Sequence, residues 1–440
     1  MSSQLHLPAS PQHLAVHECP DCGLFSRLTK PVPGIDMRCM RCDKILRRVH
    51  INPLDKGLIC AFAALFFYAL ALTTPYITAW LYDSFATATL LTGPFALDDN
   101  GFWFLATVVM LFTIVTPLAK ILGIIVVLLE LKRDEPPRGI ATLFGWIKEL
   151  NTWSMIEVYL LGFIVAYSRL QVIMQVRIDV AALGLVGLMF CMAGIDAVLD
   201  PEAVWEEMRR KRVVGDDRAG GGRLYGCDTC HKVCRGHEGE PCPRCGEPLH
   251  ERKANSFNRT WALTISAALL YIPSNLFPVM TVMKFGRYHT YTIFEGLSEF
   301  VKIGLWPLAV LVFVASIAIP LFKLLSLVFL LIETKWRPQR WICFRTRLYR
   351  VIDFIGRWSM VDIFMVSILV ALVHFGATGR ISAEPGAIYF TGVVILTLLA
   401  VESFDPRLMW DAALKDEAMQ GKAGSKKAGP LPATPDKVTA

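Results

Sequence analysis

RWSMVDIFMVSILVALVHF, residues 357–375, reads as a membrane helix with a carboxylate, Asp362, near its start. TWSMIEVYLLGFIVAYSRL, residues 152–170, repeats the pattern with Glu157 in the same place. An apolar span that twice carries an acid at one position implies a duplicated membrane unit with a polar interior.

Composition agrees. Of 440 residues, 54% are hydrophobic and 19% charged. The mean hydropathy of +0.45 is too high for a soluble chain of this length. Crossing a bilayer takes about 20 apolar residues. Eight segments qualify: 57–79, 102–129, 153–170, 180–199, 260–283, 304–332, 358–376 and 386–404. No signal peptide precedes the first, so the N-terminus is expected to stay inside. The segments then placed inside carry 37 of the 45 lysines and arginines. That bias is the positive-inside pattern. The net charge of +7 is therefore read as topology, and no nucleic-acid partner is expected.

A shift of 203 lays TPLAKILGIIVVLLE (116–130) over IPLFKLLSLVFLLIE (319–333). A shift of 205 matches Trp153-Ser154-Met155 to Trp358-Ser359-Met360, and DPEAVW at 200 to DPRLMW at 405. The expected fold is an all-α polytopic membrane protein of eight transmembrane helices in two parallel four-helix repeats, with two cytoplasmic ribbons. The expected divisions are a first ribbon (1–52), a first repeat (53–205), a second ribbon (206–256), a second repeat (257–410) and a cytoplasmic tail (411–440). The tail is small, polar and charged, and disorder is expected there.

Each half opens with two CxxC pairs: Cys19, Cys22, Cys39 and Cys42, then Cys227, Cys230, Cys242 and Cys245. Pairs of thiolates on tight turns close a tetrahedron around one metal ion, and two zinc ions are expected. His231, Cys234 and His237 are alternative ligands in the second ribbon. A disulfide framework does not suit the reducing side of the membrane.

Lys120 and Lys323 lie at equivalent places in the second and sixth spans, Glu157 and Asp362 in the third and seventh. An unpaired charge in a bilayer costs several kcal/mol, so each lysine is expected to pair with its carboxylate. Thr113 and Ser316 lie seven residues before the lysines, on the same helical face. Ser154 and Ser359 precede the carboxylates by three, and Thr397 adds a hydroxyl in the last span. The expected result is a polar transport stripe, with Lys323–Asp362 the main pair and Lys120–Glu157 its copy. In the outer loops, 79–101 has Asp83, Asp98 and Asp99, whereas 282–303 has Lys284 and Arg287. Both are candidate docking segments for an external partner.

The double four-cysteine ribbon, WSM-x-[ED], PLFKLL and DP-x3-W together resemble the paraquat-inducible protein A family, over Cys19 to Trp410. The resemblance implies a Gram-negative inner-membrane subunit, not an enzyme. It would work in phospholipid trafficking with a periplasmic MCE-domain tunnel protein. Alternatives are a membrane redox or stress-response protein and a zinc-ribbon scaffold. There is no phosphate loop, HExxH or GxSxG. CDTCH at 227 matches a haem-attachment pattern but is read as a metal knuckle.

Overall fold

In the computed structural model, residues 16–27, 34, 36–81, 84–171, 174–215, 223–284, 287–336, 339–373 and 379–416 are described. Asp83 and most of the tail lie outside them.

The first ribbon is two hairpins, β1 (Val16–Glu18) with β2 (Phe25–Arg27), and β3 (Asp36–Arg38) with β4 (Ile45–Arg48). The first membrane unit follows. Helix α1 (Pro53–Thr73) leads to a hairpin, β5 (Ile77–Leu81) and β6 (Ser84–Ala88), and then to short helices α2 (Thr92–Asp99) and α3 (Trp103–Met110). A π-helical turn, Leu111–Val115, joins α3 to α4 (Thr116–Glu130). Next come α5 (Ile140–Trp153) and α6 (Ile156–Leu170), broken at Ser154–Met155. Strand β7 (Gln175–Ile178) returns to pair with β5, and α7 (Val180–Val198) and α8 (Pro201–Arg210) close the unit.

The second half repeats this order. The ribbon contains β8 (Arg223–Gly226) and β9 (Val233–Gly236). Then come α9 (Ser256–Leu276), β10 (Met280–Lys284), β11 (Arg287–Tyr291), α10 (Ile293–Lys302), α11 (Trp306–Phe313), a π turn at Val314–Ala318 and α12 (Ile319–Trp336). They are followed by α13 (Ile342–Gly356), a 3-10 turn at Arg357–Met360, α14 (Val361–Leu372), β12 (Gly379–Ala383) and α15 (Pro385–Ser403). The two three-stranded sheets have matching orders, β6-β5-β7 and β11-β10-β12.

The π turns have a local cause. Pro117 and Pro320 lack the N–H that would bond back one turn, and their rings crowd the carbonyl there. The helix widens just before each proline, and the Leu111 carbonyl accepts from both the backbone N–H and Oγ1 of Thr116. Thr113 and Ser316 both fall within the widened turns.

Two expectations need correction. The chain is mostly helical, but not all-α: the loops that follow α1, α6, α9 and α14 fold into small sheets. Loop backbone near a bilayer must satisfy its own polar groups, and a sheet does so. The third and seventh spans start earlier than 153 and 358, because the helices run from Ile140 to Leu170 and from Ile342 to Leu372. Of the eight expected spans, seven helices among the described residues are long and apolar enough to cross a membrane. The eighth candidate, α9, has the length, but Asn258, Arg259, Pro273 and Asn275 dilute its apolar character.

The halves meet where α6 crosses α14. At Gly162 an added Cβ would lie 3.0 Å from Phe364 Cβ and 3.1 Å from the Val361 carbonyl oxygen. Only glycine allows so close an approach. Tyr159 adds an edge-to-face contact with Phe364 at 5.6 Å.

Candidate transport site and metal centres

The cysteines converge as the spacing implies. Cys19 and Cys42 sulfurs are 3.5 Å apart, as are those of Cys22 and Cys39. In the second ribbon Cys227–Cys245 is 3.4 Å and Cys230–Cys242 is 3.7 Å. A tetrahedron with ~2.3 Å metal–sulfur bonds has edges of about 3.8 Å, so each set fits one ion. All eight are free thiols. Cys234 instead faces the Tyr225 carbonyl at 3.9 Å, and neither it nor His231 or His237 is needed to complete a site. Burial pushes the His231 imidazole down to about 3.

Inside the bundle the pairing differs from the expected one. Lys120, 3% exposed, donates to Asp196 on α7 at 2.7 and 2.9 Å and to Asn151 at the end of α5. Lys323, 0% exposed, donates to the Gly356 carbonyl at 3.4 Å and Ser359 Oγ at 3.5 Å. No ion pair joins Lys120 to Glu157 or Lys323 to Asp362 among the described residues. The helix breaks explain this. Each lysine meets residues at or before the break, Asn151 or Gly356 and Ser359, while each carboxylate sits in the first turn beyond it.

The expected hydroxyls are buried. Thr113, Ser316 and Thr397 donate to carbonyls of their own helices at 2.7, 2.7 and 2.9 Å. Ser359 joins the Lys323 site, and Ser154 Oγ is buried without a partner.

Asp362 looks elsewhere. Its Oδ1 is buried without a hydrogen bond, and it lines a cavity with Ser316, Arg169, Met365 and Phe390. Arg169 comes from the far end of α6, in the first half. Its guanidinium lies 4.3 Å over the Phe300 ring and 3.7 Å from Met280 Sδ. Beyond it an open groove of roughly 170 Å³ is walled mainly by apolar groups, among them Val282, Leu305, Leu369 and Ile381. Arg169 lines both the groove and the adjoining cavity that holds Asp362, so an amphipathic molecule there finds a cation, a nearby anion and an apolar wall.

Arg169 and Asp196 were missed by the sequence reading. Arg169 ends the apolar run TWSMIEVYLLGFIVAYSRL and counts as an outer-loop cation by position. Asp196 is hidden near the exit of its span, where acids are ordinary. The weak signal for each was an ionisable residue inside an apolar run.

The profile described as "Paraquat-inducible protein A" matches residues 54–209 and again 257–413. This chain belongs to the paraquat-inducible protein A family. Its double match falls on the two membrane units. The chain is 30% identical to "Intermembrane transport protein PqiA" of Escherichia coli (strain K12), over 92% of this chain and 98% of that protein. It is 28% identical to "Lipophilic envelope-spanning tunnel protein A" of the same strain, over 90% and 91%. It is 26% identical to "Probable intermembrane transport protein" of Haemophilus influenzae, over 84% and 90%. No solved structure matches it. Family membership and the seven apolar helices together make this a multi-pass membrane protein.

Proposed function

We propose that this paraquat-inducible protein A family member is the inner-membrane subunit of an intermembrane phospholipid transport system. It is a transporter component and not an enzyme, as its relatives' names suggest. It exchanges lipid between the bilayer and a periplasmic MCE-domain tunnel protein. Both termini and both ribbons face the cytoplasm, and the three-stranded sheets face the periplasm. Eight helices then cross the bilayer, α9 included, as two parallel units. Each four-cysteine set holds zinc. Soft thiolates in a closed tetrahedron suit a structural ion, and metal analysis without haem or flavin absorbance would set the redox alternative aside.

The observation that carries this reading is the half-open apolar groove headed by Arg169, with Asp362 in the adjoining cavity. A guanidinium presents a fork of donors to a phosphate. The neighbouring carboxylate accepts from an amine-bearing headgroup or holds the arginine in place. Ser316 extends the polar lining inward, and the apolar wall takes the acyl chains.

The test is native mass spectrometry of protein extracted from membranes. Arg169→Met with Asp362→Leu is expected to accumulate normally, lose co-purifying phospholipid and fail to support the outer-membrane barrier. Normal abundance with unchanged lipid and function would sink the proposal.

A further inference from the structure

The cytoplasmic ribbons are tied to the membrane units in two ways. Each ribbon's stem bonds to its own half. Arg47, on β4, pairs with Asp200 at 2.9 Å and Glu206 at 3.0 Å. The equivalent Arg252 pairs with Asp411 at 2.7 Å. Each residue of the second set stands 205 positions after its counterpart, apart from the absent Asp405 contact.

The second knuckles do the opposite, while Asp228 in the first knuckle of the second ribbon also pairs with Arg407 of its own half at 2.8 Å. The second knuckle of each ribbon is Cys-x-Arg-Cys: Cys39-Met40-Arg41-Cys42 and Cys242-Pro243-Arg244-Cys245. Arg41 lies 4.6 Å over the ring of Trp410, at the exit of the second half. Arg244 lies 5.0 Å over the ring of Trp205, at the exit of the first half. Each also donates at 3.5 Å to a carbonyl in the other knuckle of its ribbon, Cys22 or Cys230. The two tryptophans are the last residues of the DP-x3-W motifs, whose spacing no membrane requirement explains.

Second contacts reinforce the exchange. Arg350 of α13, in the second half, donates to Asp21 at 2.5 Å and to the Cys42 carbonyl at 2.9 Å in the first ribbon. Lys148 of α5, in the first half, donates to the Thr229 carbonyl at 2.9 Å in the second ribbon. The helices gripped are the ones that hold the buried lysines. Helix α13 ends at Gly356, which accepts from Lys323, and α5 carries Asn151, which accepts from Lys120.

We propose that Arg41 and Arg244, with Arg350 and Lys148, are positioning residues through which each ribbon holds the opposite membrane half. The first ribbon sets the surroundings of Lys323, and the second those of Lys120. A four-cysteine knuckle folds around its ion. Loss of metal from one ribbon is therefore felt across the molecule, in the half that does not follow it in sequence.

Hydrogen exchange on the full-length protein in lipid nanodiscs tests this. Arg41→Ala is expected to raise exchange at residues 405–413 by about tenfold, the size of a lost cation–π contact and one hydrogen bond. Residues 200–208 should stay protected. Arg244→Ala should reverse the pattern, and Arg41→Lys should restore most protection by keeping a cation over the ring. An amine-acylating reagent should then reach Lys323 faster in Arg41→Ala, with Lys120 unchanged. If Arg41→Ala does not accumulate, Trp410→Leu breaks the same contact from the membrane side. It should loosen residues 36–48 and leave 223–250 unaffected. Loosening of a variant's own half, of both halves equally, or of neither would overturn the proposal.

Discussion

The two membrane units have one fold and two different interiors. Lys120 faces Asp196, and its charge is cancelled. The residue 205 positions after Asp196 is Val401, and the residue 205 after Asn151 is Gly356. Lys323 therefore has a backbone carbonyl and a hydroxyl where its counterpart has a carboxylate and an amide. Duplication conserved the lysine and changed what surrounds it. An ion pair closed by its own partner holds helices together. A buried ammonium with only neutral acceptors makes no such pair. On the proposed transport reading, the first half's lysine serves packing and the second half's serves the substrate.

The largest effects test where the halves are alike. Replacing Cys19 or Cys242 by serine removes a ligand from a domain with almost no apolar core. Metal ligation in such ribbons supplies on the order of 10 kcal/mol. Membrane-protein abundance should fall sharply for either variant. Equal loss in both would place the ribbons on the same footing, and a variant that keeps full abundance and metal content would break the likeness.

Asp196→Ala tests the difference. It leaves Lys120 buried without its counter-ion. Asp196 is 41% exposed, so the penalty is discounted from that of a fully buried pair to about 2 kcal/mol. The thermal midpoint of the purified protein should drop, and Lys120→Met with Asp196→Leu should recover it. Transport should survive in the double variant. A double variant that is stable but inactive would show that the first pair also works on the substrate.

The converse change is Val401→Asp, which gives Lys323 the partner that Lys120 has. Coulombic gain and desolvation nearly cancel for such a pair, so stability should move by no more than about 1 kcal/mol. Barrier function should fall, because the new carboxylate engages the ammonium. Full function with an ion pair in place would remove Lys323 from the chemistry.

How far the sequence revealed these matters follows from what kind of contact is involved. Ribbons, spans and repeats were legible because each rests on a local spacing: CxxC, apolar length, a constant shift. The buried lysines, carboxylates and hydroxyls were legible as polar residues in apolar runs. Their partners were not, because pairing depends on helix rotation and on the breaks at Ser154–Met155 and Arg357–Met360. One turn of offset separates Asp362 from Lys323 and brings Arg169 from the other half in its place. The three-stranded sheets escaped because strands such as Ile77–Leu81 and Met280–Lys284 sit where apolar spans end. Their residues extend the hydrophobic run without a change of periodicity.

The smallest effect separates the halves at the ribbon contacts. Arg244 has both the Trp205 ring and a bidentate pair with Glu202, at 2.6 and 3.1 Å. Arg41 has the Trp410 ring, but the position equivalent to Glu202 is Arg407, which binds Asp405, Glu18 and Asp228 instead. Burial alone would raise the Glu202 carboxyl above its ordinary 4.5, yet the charge and hydrogen bonds of Arg244 bring it below that value. A depressed carboxylate stabilises the folded state fully above its unfolded value. That contribution fades as pH falls from about 4.5 through the lower folded value. Glu202→Gln should therefore lower the thermal midpoint at pH 7 by an amount corresponding to about 1 kcal/mol. The gap to the unsubstituted protein should hold down to about pH 5 and narrow below it. Arg41→Ala, which removes no carboxylate contact, should show a gap without that narrowing. Parallel pH profiles for the two variants would mean that the exchanged contacts of the two halves are energetically the same, despite the acid in one and its absence from the other.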